Sequence, residues 1–212
     1  MGNQLTEGHK NRLKNNIIQG AQNYEKYLRD KCFQVICEDG TKTYVRFFHA
    51  DFKHLSGIQS DLDESDFYKK CVECKLNTGN ILTNQKYGWD TLKGKAKRLA
   101  NIHELLYQDT EKRLLLNQLK TNTYVFPIAI RNDEINSCIG FVSAAHKARS
   151  LSKAGSSNNY ADSKKIVAIL RKENQDETFD EFVYIEKNQN LLNICPDILQ
   201  DVSEEIQKLL TT

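Results

Sequence analysis

The sequence predicts an α+β domain in which helices and strands are segregated along the chain. Amphipathic helical stripes dominate its first half, and short β-branched and aromatic runs dominate its second half. With 212 residues, of which 39% are apolar and 27% charged, the chain can bury one core of ordinary size. We expect an N-terminal helix and hairpin, middle helices, a four-stranded antiparallel sheet and a C-terminal helix.

The first half supplies the helices and the hairpin. Residues 7–29 carry one apolar stripe at helical spacing, made of Leu13, Ile17, Ala21, Tyr24 and Leu28. Two alternating runs, 32–38 and 41–48, flank Asp39-Gly40, which is a strong hairpin signal. Residues 63–76 begin with helix-favouring acids and predict a short helix. Leucines at helical steps extend a second helical block over residues 90–119.

The second half supplies the sheet. Four short strands are predicted as an antiparallel meander, at residues 124–130, 136–142, 165–171 and 180–186. Pro196 begins a final amphipathic helix over about residues 196–210. We therefore expect one compact domain with three parts: residues 1–44 with the helix and the start of the hairpin, 45–190 with the main α+β unit, and 191–212 with an acidic helix.

Targeting signals and metal motifs are weak. No apolar stretch resembles a signal peptide and none approaches the roughly 18 residues of a membrane span, so we expect a soluble, cytoplasmic protein with reduced thiols and no membrane partner. Cys71 and Cys74 form a Cys-x-x-Cys pair on a predicted helix, with no second pair or suitably spaced histidine. They are expected to pack as apolar side chains, and no metal or cofactor is predicted.

The net charge of +2 conceals two opposed regions. Residues 145–172 carry +6, whereas residues 173–212 carry −8. A basic segment suits a phosphate-bearing ligand, because lysine and arginine neutralise backbone charge and release counterions. The simpler alternative is a solvated basic loop balanced by the acidic tail.

A short motif with one histidine follows the predicted hairpin. In Phe52-Lys53-His54-Leu55-Ser56-Gly57-Ile58, the histidine is expected in a loop that ends at the glycine and faces solvent. An imidazole pKa of about 6.5 suits proton transfer. A lone histidine is nevertheless more often a packed, hydrogen-bonded structural residue.

The basic segment begins with a second motif, His146-Lys147-Ala148-Arg149-Ser150-Leu151-Ser152-Lys153. Its cations Lys147 and Arg149 could stabilise the extra charge of a phosphorane, and the hydroxyls of Ser150 or Ser152 could hydrogen-bond a phosphate oxygen. Alternatively, the segment is a polar connection whose Leu151 packs into the core.

Together these motifs resemble the phage- and mobile-element-associated nuclease domains of the barnase, EndoU, colicin and RelE superfold. The histidine motif matches a Phe-x-His-Leu-Thr-Gly branch, with serine in place of threonine. Weaker matches are Ala148-Arg149-Ser150-Leu151, the predicted strand over residues 165–172 and the closing strand over 182–185. The resemblance spans about residues 45–186.

The resemblance implies a metal-independent ribonuclease, of the toxin or antiphage type, that cleaves RNA by attack of the 2′-hydroxyl on the adjacent phosphate. His54 would be the acid or base, Arg149 a phosphate stabiliser, Ser150 a positioning hydroxyl, and Tyr184 a stacking or proton-donating group. RNA-backbone contacts would come from Lys53, Lys147, Lys153 and Lys165. The implied partners are RNA and an antitoxin or immunity protein.

Two alternatives stay open at this point. The basic segment would also suit a non-catalytic nucleic-acid-binding or regulatory protein of a mobile element. An ADP-ribosyltransferase, which shares a split sheet, could use Glu181 or Glu186 as its catalytic acid.

Overall fold

The computed structural model describes residues 5–82, 87–142 and 147–211. Helices in these ranges are α1 (Glu7–Tyr27), α2 (Asp51–Ser56), α3 (Glu64–Val72), α4 (Trp89–Ala100), α5 (Glu104–Tyr107), α6 (Leu191–Ile194) and α7 (Glu204–Thr211). Strands are β1 (Lys31–Cys37), β2 (Lys42–Arg46), β3 (Arg113–Lys120), β4 (Val125–Asn132), β5 (Ser137–Val142), β6 (Lys147–Ser152), β7 (Asp162–Glu173) and β8 (Glu181–Ile185). No helix in the described ranges has the length and apolar character needed to cross a membrane.

The strands form one closed sheet. Seven of them pair in the order β1-β2-β6-β5-β4-β3-β7, and pairing of β7 with β1 closes a barrel, to which β8 adds on β7. All pairings are antiparallel except that of β2 with β6, which runs parallel through Arg46 and Lys147. The predicted four-stranded antiparallel sheet is therefore wrong, although the mixture of helices and strands is α+β.

Two of the strands are not expected from the sequence. β3 lies where a helix is predicted, because three consecutive leucines satisfy both a helical stripe and a strand buried on both faces. β6 lies where a polar connection is the simpler alternative. Since β5 pairs with β6, and β7 pairs with β1, β3 and β8, the predicted meander is also wrong.

Local signals define the N-terminal elements. The side chain of Thr6 caps α1 by accepting a hydrogen bond from the backbone amide of His9. Between β1 and β2, the carboxylate of Asp39 accepts from the amide of Thr41, and Gly40 has a φ of +81°. Side chains from α1 to α5 then pack with one face of the sheet in the main hydrophobic core.

The histidine motif forms a helix where a loop was expected. Residues Asp51–Ser56 form α2, which packs on β6, and Gly57 ends the helix in a left-handed conformation. This packing of α2 on β6 brings the two sequence motifs together.

The acidic C-terminal segment lies on the other face of β1 and β7. A 3₁₀ turn over Pro196–Gln200 precedes α7, because backbone bonds between Phe179 and residues 201–203 interrupt the continuous helix that was predicted. Ile198, Val202 and Ile206 pack in a second core against these strands. Asp197 and Asp201 form ion pairs with Lys42 on β2.

Candidate active site

Helix α2 directs one residue of its motif toward solvent. Phe52 and Leu55 are fully buried. The hydroxyl of Ser56 donates to the carbonyl oxygen of Lys53 at 2.6 Å and accepts from the amide two residues further on. The side chain of His54 is 37% exposed. The surrounding motif therefore builds and ends the helix, while the imidazole stays accessible.

Lys53, which the resemblance implies as an RNA contact, has protein partners. Its ammonium donates hydrogen bonds to the backbone carbonyls of Leu62 and Ser60. These bonds tie α2 to the segment that leads into α3. Binding a phosphate through this ammonium would require giving up at least part of that connection.

Arg149 occupies a β-bulge on β6. Along the β5 pairing, Phe141 lies opposite Ala148, and the adjacent Gly140 lies opposite Ser150, so that Arg149 is the extra, unpaired residue. The bulge lets the strand bury both Ala148 and Leu151, three residues apart, while the arginine side chain stays exposed. Bulges of this kind commonly re-aim a side chain beside an active site.

The imidazole of His54 and the guanidinium of Arg149 lie close enough to interact. Burial, together with the positive charges of Arg149 and Lys53, holds the pKa of His54 below its usual value. Glu64, whose Oε1 lies 3.7 Å from His54 Nε2, acts in the opposite direction. The net effect favours a neutral imidazole, which is the form that can accept a proton.

A buried carboxylate, Asp51, lies at the start of α2. It accepts a hydrogen bond from the amide of Phe48 at 3.1 Å, and burial raises its pKa despite the nearby charges of Lys147, Arg149 and His49. The ammonium of Lys147 also lies over the Phe48 ring, 5.1 Å from its centroid. Asp51 was missed in the sequence, where it directly precedes the histidine motif and nothing local distinguishes it from other acidic residues.

Of the remaining described histidines, two are held in stacked ring pairs. His9 stacks on Trp89 at 3.9 Å and His103 stacks on Tyr27 at 4.6 Å, both measured between ring centroids. His49, by contrast, is exposed and influences Asp51. His146 lies outside the described residues.

Ser150 and Lys153, which follow Arg149 along the chain, line a groove of about 750 Å³. The groove is bounded by α4, by the turn between β3 and β4, and by β6 with the segment after it. Its cationic lining residues are Lys95, Arg98, Lys120 and Lys153. Only the last of these was singled out from the sequence, because the others come from separate elements.

Tyr184 and Lys165 lie in a different part of the barrel. They belong to β8 and β7, and β7 is separated from β6 by two strands in one direction and three in the other. The Tyr184 ring packs on the guanidinium of Arg113, 4.5 Å from the ring centroid. Lys165 forms an ion pair with the buried Glu186. The structure therefore does not bring these two residues to His54.

This second cluster is strongly desolvated. Burial lowers the pKa of Arg113 to about 10 and raises that of Tyr184. Buried atoms without a hydrogen-bond partner are Arg113 Nη1, Tyr184 Oη and Glu186 Oε2. Both glutamates of the ADP-ribosyltransferase alternative are in ion pairs, Glu181 with Arg171 at 2.5 Å and Glu186 with Lys165.

The cysteine pair is split between core and surface. Cys71 is buried, whereas Cys74 is exposed and accepts a hydrogen bond from Gln22. In the described ranges, no group of three or more His, Cys, Asp and Glu side chains could hold a metal ion.

The family model described as phage-Barnase-EndoU-ColicinE5/D-RelE like nuclease4 matches residues 16–188. The chain belongs to this nuclease family. The matched region includes His54, Arg149 and the groove, so the candidate site lies within the part of the chain that matches the nuclease family. The family model does not distinguish branches within the family, so membership of the Phe-x-His-Leu-Thr/Ser-Gly branch stays a prediction. No curated protein and no solved structure matches this nuclease.

Proposed function

We propose that this nuclease is a metal-independent ribonuclease that cleaves RNA by 2′-hydroxyl transphosphorylation. The observation that carries the proposal is the cluster at α2 and β6, where an accessible His54 with a lowered pKa lies beside Arg149. A nuclease needs a proton acceptor and cations at the phosphate, and this cluster contains both.

In the proposed reaction, His54 removes the proton of the 2′-hydroxyl, and the resulting oxygen attacks the adjacent phosphorus. The bond from phosphorus to the 5′ oxygen breaks, leaving a 2′,3′-cyclic phosphate. Arg149 and Lys147 stabilise the charge that develops on the phosphoryl oxygens. Ser150, next along β6, positions the phosphate through its hydroxyl. Tyr184 and Lys165, across the barrel, are not needed in this scheme.

The leaving 5′ oxygen requires a proton. His49 is the second histidine of the cluster, exposed and close enough to Asp51 to affect the pKa of that carboxyl. We assign it the role of proton donor to the leaving group. Asp51, which is buried and bonded to the Phe48 amide, holds the turn that carries the histidine.

The test is cleavage of RNA by the purified protein in excess EDTA. We expect fragments with 2′,3′-cyclic phosphate ends, and a fall of about 10²–10⁴-fold in rate for His54→Ala, which is the usual contribution of a general acid or base. His103→Gln, which changes a stacked histidine that precedes α5, is the matched control and should retain most activity. Full cleavage by His54→Ala, or equal cleavage of DNA of the same sequence, would refute the mechanism.

A toxin or antiphage role follows from the same chemistry, because cleavage of cytoplasmic RNA would arrest growth unless an antitoxin or immunity protein blocked the site. Inducible expression in bacteria should therefore stop growth, and His54→Ala should relieve the arrest. Arrest that persists in this variant at equal expression would argue against the role.

A second candidate function is non-catalytic nucleic-acid binding, which the basic groove favours independently of the histidines. It predicts salt-dependent RNA binding without any cleavage products. Cleavage that depends on His54 would exclude this candidate as the sole function.

A further inference from the structure

The groove beside the proposed active site has three walls from distant parts of the chain. Helix α4 forms one wall, the turn over residues 120–123 forms another, and β6 with residues 153–159 forms the third. Its volume of about 750 Å³ falls within the range of about 300–1,000 Å³ typical of ligand sites. A space of this size is large enough for unpaired nucleotides.

The charge that lines the groove is mainly positive. Arg98, Lys120 and Lys153 line it, and within the described ranges none of them forms an ion pair. Burial lowers the pKa of Arg98, and its Nε is buried without a hydrogen-bond partner. Asp90 is the acid in the lining. An incoming phosphate would satisfy charges that the protein leaves unpaired.

The rest of the lining suits nucleosides. Hydroxyls of Thr121, Thr123 and Ser156 and the amide of Asn159 can exchange hydrogen bonds with base edges and sugars. Tyr87 adds aromatic surface, whereas Phe126 is buried and contributes only the apolar base of this wall. Exposed bases of single strands commonly stack on such rings.

The groove is physically connected to the histidine helix. Lys95, on its floor, donates a hydrogen bond to the carbonyl of Leu151 at 2.8 Å, and its aliphatic chain packs against Gly57 at the end of α2. Ser150, which lines the groove, is adjacent to Arg149 on β6. An RNA strand bound at His54 could therefore continue into the groove.

We infer that this groove, between α4, the β3–β4 turn and β6, binds the single-stranded RNA that flanks the scissile phosphate. This inference rests on the proposed ribonuclease function and adds a substrate class to it, because it makes the enzyme selective for unpaired RNA. The groove supplies binding and selectivity, while the cluster at His54 supplies the proton transfer.

The test measures binding without cleavage. A fluorescent single-stranded oligonucleotide with 2′-O-methyl groups throughout cannot form the attacking oxygen, and its dissociation constant can be followed by anisotropy at several salt concentrations. Lys120→Ala/Lys153→Ala is compared with the wild type and with Arg12→Ala/Lys93→Ala, which removes the same charge from exposed positions outside the groove. A hairpin duplex of the same composition is the second probe.

We expect the groove variant to bind the single strand about tenfold more weakly for each phosphate-binding side chain that is removed. Its salt dependence, as the slope of log K against log salt, should fall by about 0.7 for each of these side chains. The control variant should stay close to the wild type, and the duplex should bind more weakly than the single strand.

Several results would overturn the inference: unchanged affinity in the groove variant, an equal loss of affinity in the control, or a duplex that binds as tightly as the single strand. Equal competition by inorganic polyphosphate of matched charge would also overturn it, because it would show recognition of charge without nucleosides. The ribonuclease proposal fails separately, if the wild type does not cleave unmodified RNA while the groove variant still binds more weakly.

Discussion

Gly57 connects the proposed catalytic helix to the groove, and Gly57→Ala should disrupt both. The residue has a φ of +68°, a conformation that costs a non-glycine residue about 1–2 kcal/mol. An added Cβ would lie 2.8 Å from Cδ and 3.1 Å from Cε of Lys95. This lysine is buried and bonded to the Leu151 carbonyl, so it cannot swing away without giving up that bond.

The expected decrease in stability follows from these two contributions. Overpacking of a filled site adds about 1–3 kcal/mol to the backbone penalty, for a total of about 2–5 kcal/mol. In a domain of this size each kcal/mol lowers Tm by about 2–4 °C, which gives a fall of about 4–20 °C. Cleavage of single-stranded RNA should fall as well, because the end of α2 must move.

Calorimetry of three variants separates the contributions. Gly155→Ala is the control, since an added Cβ there meets no atom within 4 Å. Gly57→Asn should lie between the control and Gly57→Ala, because asparagine tolerates the left-handed conformation but keeps the clash with Lys95. If Gly57→Ala melts at the same temperature as Gly155→Ala, the reasoning about this junction is wrong.

Two further predictions concern charge. Since a proton-accepting His54 must be neutral, cleavage should decline as the pH falls through the pKa of this histidine. Arg149 lowers that pKa, so Arg149→Gln should move the acidic limb of the normalised pH–rate profile to higher pH. An unmoved limb would contradict an electrostatic interaction between Arg149 and His54. Lys165→Met leaves the carboxylate of Glu186, only 6% exposed, without its cation and should lower the free energy of unfolding by about 1.5–3 kcal/mol in urea titrations. The ammonium of Lys164 pairs with an exposed acid, so Lys164→Met should lower the free energy of unfolding much less. Equal decreases in the two variants would count against the argument from burial.

The elements that the sequence predicts well are those with local signals. Thr6 and the buried stripe of α1 define a helix without reference to the rest of the chain. Asp39-Gly40 likewise defines the β1–β2 hairpin by its turn chemistry. In these cases the residues that determine the structure are neighbours in sequence.

Closure of the barrel depends on long-range pairing that local patterns do not encode. The pairing of β1 with β7 joins residues more than a hundred positions apart, and β6 has an irregular pattern in which Ala148 and Leu151 are buried at a spacing of three. A search for strict alternation passes over such a strand. The bulge breaks the alternation that would identify β6 in the sequence. The same bulge places Arg149 beside α2.

The site is partly predictable for the same reasons. His54 stands out because its motif ends at a glycine and predicts a solvent-facing imidazole, and Arg149 stands out because it lies in a charged segment. Arg98 and Lys120 were missed, because they join the groove from α4 and from the end of β3 only in the folded chain. Tyr184 was assigned from a closing strand that lies across the barrel.

The bulge on β6 also separates the packing of the core from the choice of the exposed side chain, which a regular strand would couple. In strict alternation, every residue of β6 belongs to a buried or an exposed set, and a change at one position has to respect the packing on its own face. Arg149 has no cross-strand partner on β5, whereas Ala148 and Leu151 keep theirs. The side chain at position 149 can therefore be exchanged without repacking the core, so that under the proposed ribonuclease function the charge offered to a phosphate can change on an unchanged scaffold.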